Sequence, residues 1–208
     1  MPSETRKSFF ERDELTAIGL SLRVAGVAAL ASLPFGIAMG WLLARKRFPG
    51  KSLFDALIHL PLVMPPVVIG YVLLVSFGSQ GAIGPFLAKF GISFAFSWTG
   101  AALARAIMGF PLMVRAIRLS IEATDRRLEQ AASTLGASPW RVFFSITLPL
   151  AWPGIVAGTV LAFAKALGEF GATIILAGNI PGVTQTIPLA IYEYTSTPGG
   201  DRMALTLC

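Results

Sequence analysis

Four stretches of the chain are almost free of charge, and short polar stretches separate them. Residues 24 to 44 are 21 consecutive uncharged positions. At about 1.5 Å of rise per residue that is enough helix to cross about 30 Å of hydrocarbon. A second apolar stretch covers about 56–77, where Pro61, Pro65 and Pro66 predict a kink or partial unwinding. A third covers about 94–114 and contains Arg105; a fourth covers about 152–176 and contains Lys165 and Glu169. The pattern predicts an all-α, polytopic membrane protein, a single transmembrane domain over residues 1–208 with these four stretches as full spans. Between the second and third spans, SFGSQGAIGPF is dense in small and breaking residues and predicts a short loop or re-entrant turn. After the fourth, GNIPGVTQTIPLAIYEYTSTPGGDR reads as an exposed loop with one short amphipathic piece around 188–194. The final MALTLC is too short to cross a bilayer, and a fifth span is expected beyond Cys208.

Composition supports the membrane assignment, with 54% hydrophobic and 13% charged residues against about a quarter charged in soluble domains. Arg45, Lys46 and Arg47 stop the first span, and no small-residue cleavage signature follows it, so it is retained rather than removed as a signal peptide. The net charge of +6 is not gathered into a nucleic-acid-binding face. It brackets the spans. Arg45, Lys46, Arg47 and Lys51 lie between spans one and two, and Arg115, Arg118, Arg126, Arg127 and Arg141 between spans three and four; only Lys89 and Arg202 lie in the other loops. Cytoplasmic loops collect Lys and Arg, so the first and third loops are expected in the cytoplasm and the N-terminus outside. The N-terminal arm also carries Arg6, Lys7, Arg12 and Arg23, which leaves the first hairpin ambiguous until the third loop decides it. The lone Cys208 forms no disulfide framework, His59 has no metal-ligand spacing and reads as structural or interfacial, and no metal site is expected. Neither a G-x-x-x-x-G-K-[ST] phosphate loop nor a Gly-x-Ser-x-Gly turn occurs. No catalytic residue, cofactor or ATP hydrolysis is therefore expected in this chain.

One polar stretch stands apart. Residues 128–150, LEQAASTLGASPWRVFFSITLPL, lie in a loop of about 119–150 and place Leu128, Ala131, Ala132 and Leu135 on one helical face. Thr124 or Asp125 can cap that helix, Gly136 can end it, and Ser138 before Pro139 starts another. Two short helices around a Gly turn suggest a DNA-reading unit, but the second offers Trp140, Phe143 and Phe144 where base readout needs polar side chains. A helix pair lying against the membrane face, aromatic edge at the interface, fits better.

The same stretch resembles the loop motif of ABC importer permeases. Gln130, Ala131 and Ala132 stand at its Glu-Ala-Ala start, Gly136 follows four residues after Ala132, Ile146 ten residues later, and Leu148-Pro149 close it. The departure is Gln130 in place of the family's usual Glu, with Glu129 one residue early. Beyond the loop, SLPFGIAMGWLLARKRFPGKSLFDALIHLPLVMPPVVIGYVLL, FGISFAFSWTGAALARAIMGFPLMVRAIRLSIE and ALGEFGATIILAGNIPGVTQTIPLAIY resemble the permeases of molybdate transporters, and the sulfate/thiosulfate permeases are similar in parts. The resemblance implies a multi-pass permease of the bacterial inner membrane, paired as a homodimer and carrying molybdate, or a related oxyanion such as sulfate, thiosulfate or tungstate. It implies a cytoplasmic ABC ATPase that holds ATP-Mg and seats the loop, a periplasmic or extracellular oxyanion-binding protein, and contacts with lipid but not nucleic acid.

Inside the spans, Lys165 and Glu169 lie four apart and can pair on one helix face, as a packing or gating ion pair or in contact with the passing anion. Arg105 can line the path, or bond backbone carbonyls beside a break at Gly109 and Pro111. Gly36/Gly40 and Gly154/Gly158 each have the Gly-x-x-x-Gly spacing that lets helices approach closely, either in packing or on a dimer face.

Overall fold

A computed structural model describes the backbone of residues 3–91, 93–197 and 201–207 and the side chains of 14–91, 93–197 and 204–207. The side chains of Arg6, Lys7, Arg12 and Arg202, and the whole of Cys208, lie outside the described residues. Among the described residues every regular element is helical: α1 (Ser3–Arg45), α2 (Lys51–Val63), α3 (Pro66–Phe77), α4 (Gly84–Ala88), α5 (Trp98–Ala123), α6 (Arg126–Thr134), α7 (Pro139–Val142), a π-helical turn (Phe143–Thr147), α8 (Leu148–Leu150), α9 (Trp152–Leu167), α10 (Gly171–Ala177), α11 (Ile187–Thr195) and α12 (Asp201–Thr206).

Helix α5 is the axis of the bundle. It is buried around much of its circumference, at Ala101, Ala104, Arg105, Met108, Met113, Ile117 and Ile121 among others, as an apolar helix surrounded by neighbours must be. Its loop-side half packs with Ala44 of α1 and with Ala151, Ile155 and Ala162 on and before α9. Its other half packs with Ile69 and Leu73 of α3 and with Ala172 and Leu176 of α10. In hydrocarbon, close approach of backbones replaces the hydrophobic effect as the source of helix attraction. The glycine spacings supply it. A Cβ on Gly40 would lie 2.8 Å from Ile117 Cγ2, and one on Gly158 3.0 Å from the Met113 carbonyl oxygen. Gly36 likewise abuts Met113, and Gly154 abuts Ser120. Both Gly-x-x-x-Gly pairs are thus taken up by α5 of the same chain.

The limits of the expected spans need correction, while their number lies between two and four. Two single helices are long and apolar enough to cross a membrane, Glu14–Arg45 and Trp98–Ala123, and there are up to four spans if each of two bent pairs counts as one. The 56–77 stretch is two helices bent by 111° between Val63 and Pro66. Pro65 and Pro66 donate no amide hydrogen, and the residue before a proline is driven out of the α region; Met64 sits at φ −76, ψ 145. The 152–176 stretch breaks between Leu167 and Gly171, and α9 instead joins Pro139–Leu150 across a bend of 67°. The third stretch begins four residues late, at Trp98, where the Ser97 hydroxyl accepts from the Gly100 amide. It then passes Gly109 and Pro111 without the expected break and runs to Ala123, so the loop starts after 123 rather than near 119. Its extra turns carry Arg118, which bonds Glu122 on its own helix and Asp55 of α2, each at 2.8 Å. His59 lies against Asp55, Nδ1 2.8 Å from its carbonyl oxygen and 3.2 Å from Oδ1.

The segment after span four is also corrected. It was expected to be exposed, yet Thr184, Gln185 and Thr186 are buried and α11 packs on α1, where the Ser21 hydroxyl accepts from the Ile187 amide at 2.8 Å.

Candidate functional site

Two polar clusters stand out against the apolar bundle. The first is the loop. Asp125 caps α6, its Oδ1 accepting from the Arg127 amide at 2.9 Å. The helix ends as the sequence predicts: Gly136 has φ +86, a left-handed value glycine adopts without strain, and the Ala137 amide reaches back to the Ala132 carbonyl. Ser138 then caps α7 with Pro139 in its first turn. Beyond α7 the ladder widens into the π turn, where the Leu148 amide donates to the Phe143 carbonyl. Pro149 lies just past that turn and has no amide to return to the ladder, so a normal α pattern is already broken there.

Glu129 and Gln130, neighbours on α6, border one cavity but differ in their bonding and exposure. Glu129 Oε1 accepts from Arg45 Nε at 3.1 Å, Arg45 Nη2 at 2.9 Å and the Thr147 hydroxyl at 2.8 Å. Arg45 also donates to the Thr124 carbonyl at 3.2 Å, and Arg126 donates to the Ala44 carbonyl at 3.1 Å. Both cations thus meet acceptors at the end of α1 or the start of the loop, and the Ala44 carbonyl is one of those a helix C-terminus leaves unsatisfied. Gln130 is exposed and lines an open cavity of about 550 Å³ with Trp41, Lys46, Arg126 and Phe143, and the Arg45–Glu129–Thr147 group forms part of the same wall. Ala131, Gly136 and Pro149 are exposed; Ala132, Ile146 and Leu148 are half-buried. At the tip, Leu135 is 88% exposed, and Trp140 stacks on Phe144 with both rings open to the surroundings.

The second cluster gathers where α9 gives way to α10, and it unites Arg105, Lys165 and Glu169. Lys165 Nζ donates to Glu169 Oε2 at 2.8 Å, the pairing expected from their spacing. Glu169 Oε1 accepts from the Ala172 amide at 3.1 Å and so caps the start of α10. Arg105 Nη2 donates to the Glu169 carbonyl at 3.3 Å and to the Thr186 hydroxyl at 2.6 Å, and its Nε donates to the Thr173 hydroxyl at 3.4 Å. Arg105 and Glu169 are both fully buried, with two cations to one carboxylate in the group. The carbonyl contact expected of Arg105 is present, though at Glu169 rather than beside Gly109. Thr173 and Thr186 were missed by sequence reasoning. The signal available was Thr186 just ahead of Ile187-Pro188, a helix start that fixes where the returning chain must stop.

Comparison with known proteins adds to this geometry. The family described as binding-protein-dependent transport system inner membrane component matches residues 32–199. The molybdenum transport system permease protein ModB of Escherichia coli (strain K12) is 63% identical over 94% of this chain and 86% of its own. The protein of the same name from Haemophilus influenzae is 61% identical over the same shares. The sulfate transport system permease protein CysT of Escherichia coli (strain K12) is 41% identical over 86% of this chain and 64% of its own. Among solved structures, a bacterial ABC transporter involved in the import of the acidic polysaccharide alginate is similar, with a TM-score of 0.67 and 18% identity over 93% of this chain and 74% of that one. An amino acid ABC transporter is similar with a TM-score of 0.62 and 17% identity, over 100% and 94%. At those identities the likeness is one of fold.

Proposed function

The chain belongs to the family of binding-protein-dependent transport system inner membrane components, and from that premise we propose that it is the membrane-spanning permease of an ATP-driven importer of molybdate. The observation that carries the substrate is the 63% identity with a molybdenum transport permease over nearly the whole chain, against 41% with a sulfate permease over less of it. The chain acts as one transmembrane domain in the inner membrane, N-terminus outside. It works as a homodimer, receives the anion from a separate binding protein and leaves ATP-Mg to a separate ATPase. Lipid covers the outward apolar side chains, such as Leu57, Val63, Tyr71 and Val75 on α2 and α3, which are well exposed.

The loop is the ATPase-coupling element, and its construction supports that reading. Residues 126–134 form a capped helix that buries none of its side chains and offers Leu128, Gln130 and Ala131 outward, with Leu135 exposed at its C-cap. An amphipathic helix of that kind beds into a groove. Ile146, Leu148 and Pro149 then set how the loop enters α9. In the second cluster, Arg105, Lys165 and Glu169 act as a gating and packing group: the anion meets a net positive site in which Arg105 already donates through Nε and Nη2, and its buried Nη1 has no hydrogen-bond partner among the described residues.

The test is reconstitution of the permease with its ATPase and binding protein in proteoliposomes. Molybdate is expected to stimulate ATP hydrolysis and be taken up in preference to sulfate; equal stimulation by sulfate overturns the substrate assignment. Deletion of residues 128–138 is expected to abolish co-purification with the ATPase. Retained co-purification and uptake would overturn the coupling role.

A further inference from the structure

Helix α6 poses a mechanical problem. None of its residues is buried, so no packed apolar face fixes it to the bundle. What holds it is polar. Arg126 bonds the end of α1 through one carbonyl, and Glu129 bonds α1 and the π turn together through one carboxylate oxygen. Around Glu129 the pairing is well enclosed: the Arg45 side chain is 8% exposed and that of Glu129 18%. A charge-assisted contact so sheltered is screened little by salt and is stronger than a neutral hydrogen bond. It is also doubly constrained, because Glu129 cannot slide along α1 without leaving the hydroxyl of Thr147, which is itself buried within the π turn.

We propose that Glu129 is a positioning residue of transport, the carboxylate through which a displacement of α6 reaches α1 and the helix entering α9 together, and that it makes no contact with the ATPase. This rests on the coupling reading of the loop. Gln130, about 100° further round α6 and exposed, is the residue left to face the partner. The one-residue offset of acid and amide from the family's pattern thus separates two duties: Glu129 works within the chain and Gln130 between chains.

The experiment uses the complete reconstituted transporter and reads two quantities, ATPase co-purification and molybdate taken up per ATP hydrolysed. Glu129→Ala is expected to keep its ATPase while uptake per ATP falls at least tenfold. Gln130→Ala is expected to weaken co-purification and leave that ratio alone. The exchanged pair Arg45→Glu with Glu129→Arg is expected to recover at least threefold over the poorer single variant. If Glu129→Ala does not accumulate, Thr147→Val removes one hydroxyl at nearly constant volume and is expected to lower the ratio about threefold. The proposal is overturned if Glu129→Ala loses the ATPase as fully as deletion of residues 128–138, if neither Glu129→Ala nor Thr147→Val changes the ratio, or if the exchanged pair recovers nothing. Retention of the ATPase by the deletion itself sinks the coupling reading instead.

Discussion

A buried carboxylate sets the stakes at the scale of single residues. Glu169 is fully buried, and its direct ionic partner is Lys165, whose side chain is 32% exposed. Removing one member of a buried pair leaves an uncompensated charge, which costs about 3–5 kcal/mol. With Lys165 partly open, Lys165→Met should cost about 3 kcal/mol, the lower end of that range. Adding Glu169→Gln should return part of the loss, because a neutral amide can still accept from the Ala172 amide. Denaturation of the four variants of this cycle in detergent checks it, and an additive double variant would rule out the pairing. Lys165 and Glu169 were legible in the sequence because only four residues separate them, and the contact is kept although Glu169 lies past the end of α9. The inward turn of Glu129 was not: Arg45 lies 84 residues away, and nothing near Glu129 announces it. The burial of Thr184, Gln185 and Thr186 was hidden for the same reason, since Arg105 is the group that gives Thr186 its place.

At the scale of elements, what could be read locally was read well. Asp125, Gly136 and Ser138-Pro139 each act through backbone groups within a few residues, and each sits where the sequence placed it. Span limits were less legible, because hydropathy marks where charge begins and not where a helix ends. Arg115 and Arg118 suggested a stop at Val114, yet the ladder continues to Ala123 once Arg118 finds Asp55 and Glu122. The break after Leu167 was masked because the residues flanking Gly168–Phe170 are mostly apolar, so hydropathy stays high across it despite Lys165. The crossing of α9 on α5 makes a direct prediction. Gly158 faces backbone, the Met113 carbonyl oxygen, rather than a side chain that can swing away. Gly158→Val should therefore force the helices apart and cost about 1–3 kcal/mol, seen as a lowered unfolding temperature in detergent. An unchanged midpoint would mean that the two helices do not meet there.

For the whole molecule, the orientation drawn from nine loop cations against two is a statement about sides of a membrane, and it is tested as one. Lys89 lies just past α4, and Arg127 on α6; both are exposed. In cells carrying Cys208→Ser, a cysteine replacing Lys89 should react with a membrane-impermeant maleimide from outside, and one replacing Arg127 only after the membrane is opened. The reverse pattern would invert the topology. The all-helical class and the membrane character were legible at this scale from composition and run length. The arrangement of α5 at the centre was not, because burial around much of a circumference looks, in one sequence, the same as exposure to lipid.

The π turn at Phe143–Thr147 bears on how such a molecule can be retuned. Each residue of a helix advances the side chains by about 100°, so one residue accommodated as a bulge turns everything before it by that angle relative to everything after it. The direction in which the loop points is thus set by a phase within a single helix, and not by the loop's own composition. Two chains with identical α6 and α7, one with the bulge and one without, would aim them at different quarters of the compass. Shortening the turn by one residue would leave the capping signals at Asp125, Gly136 and Ser138 untouched and still send the lever to the wrong address.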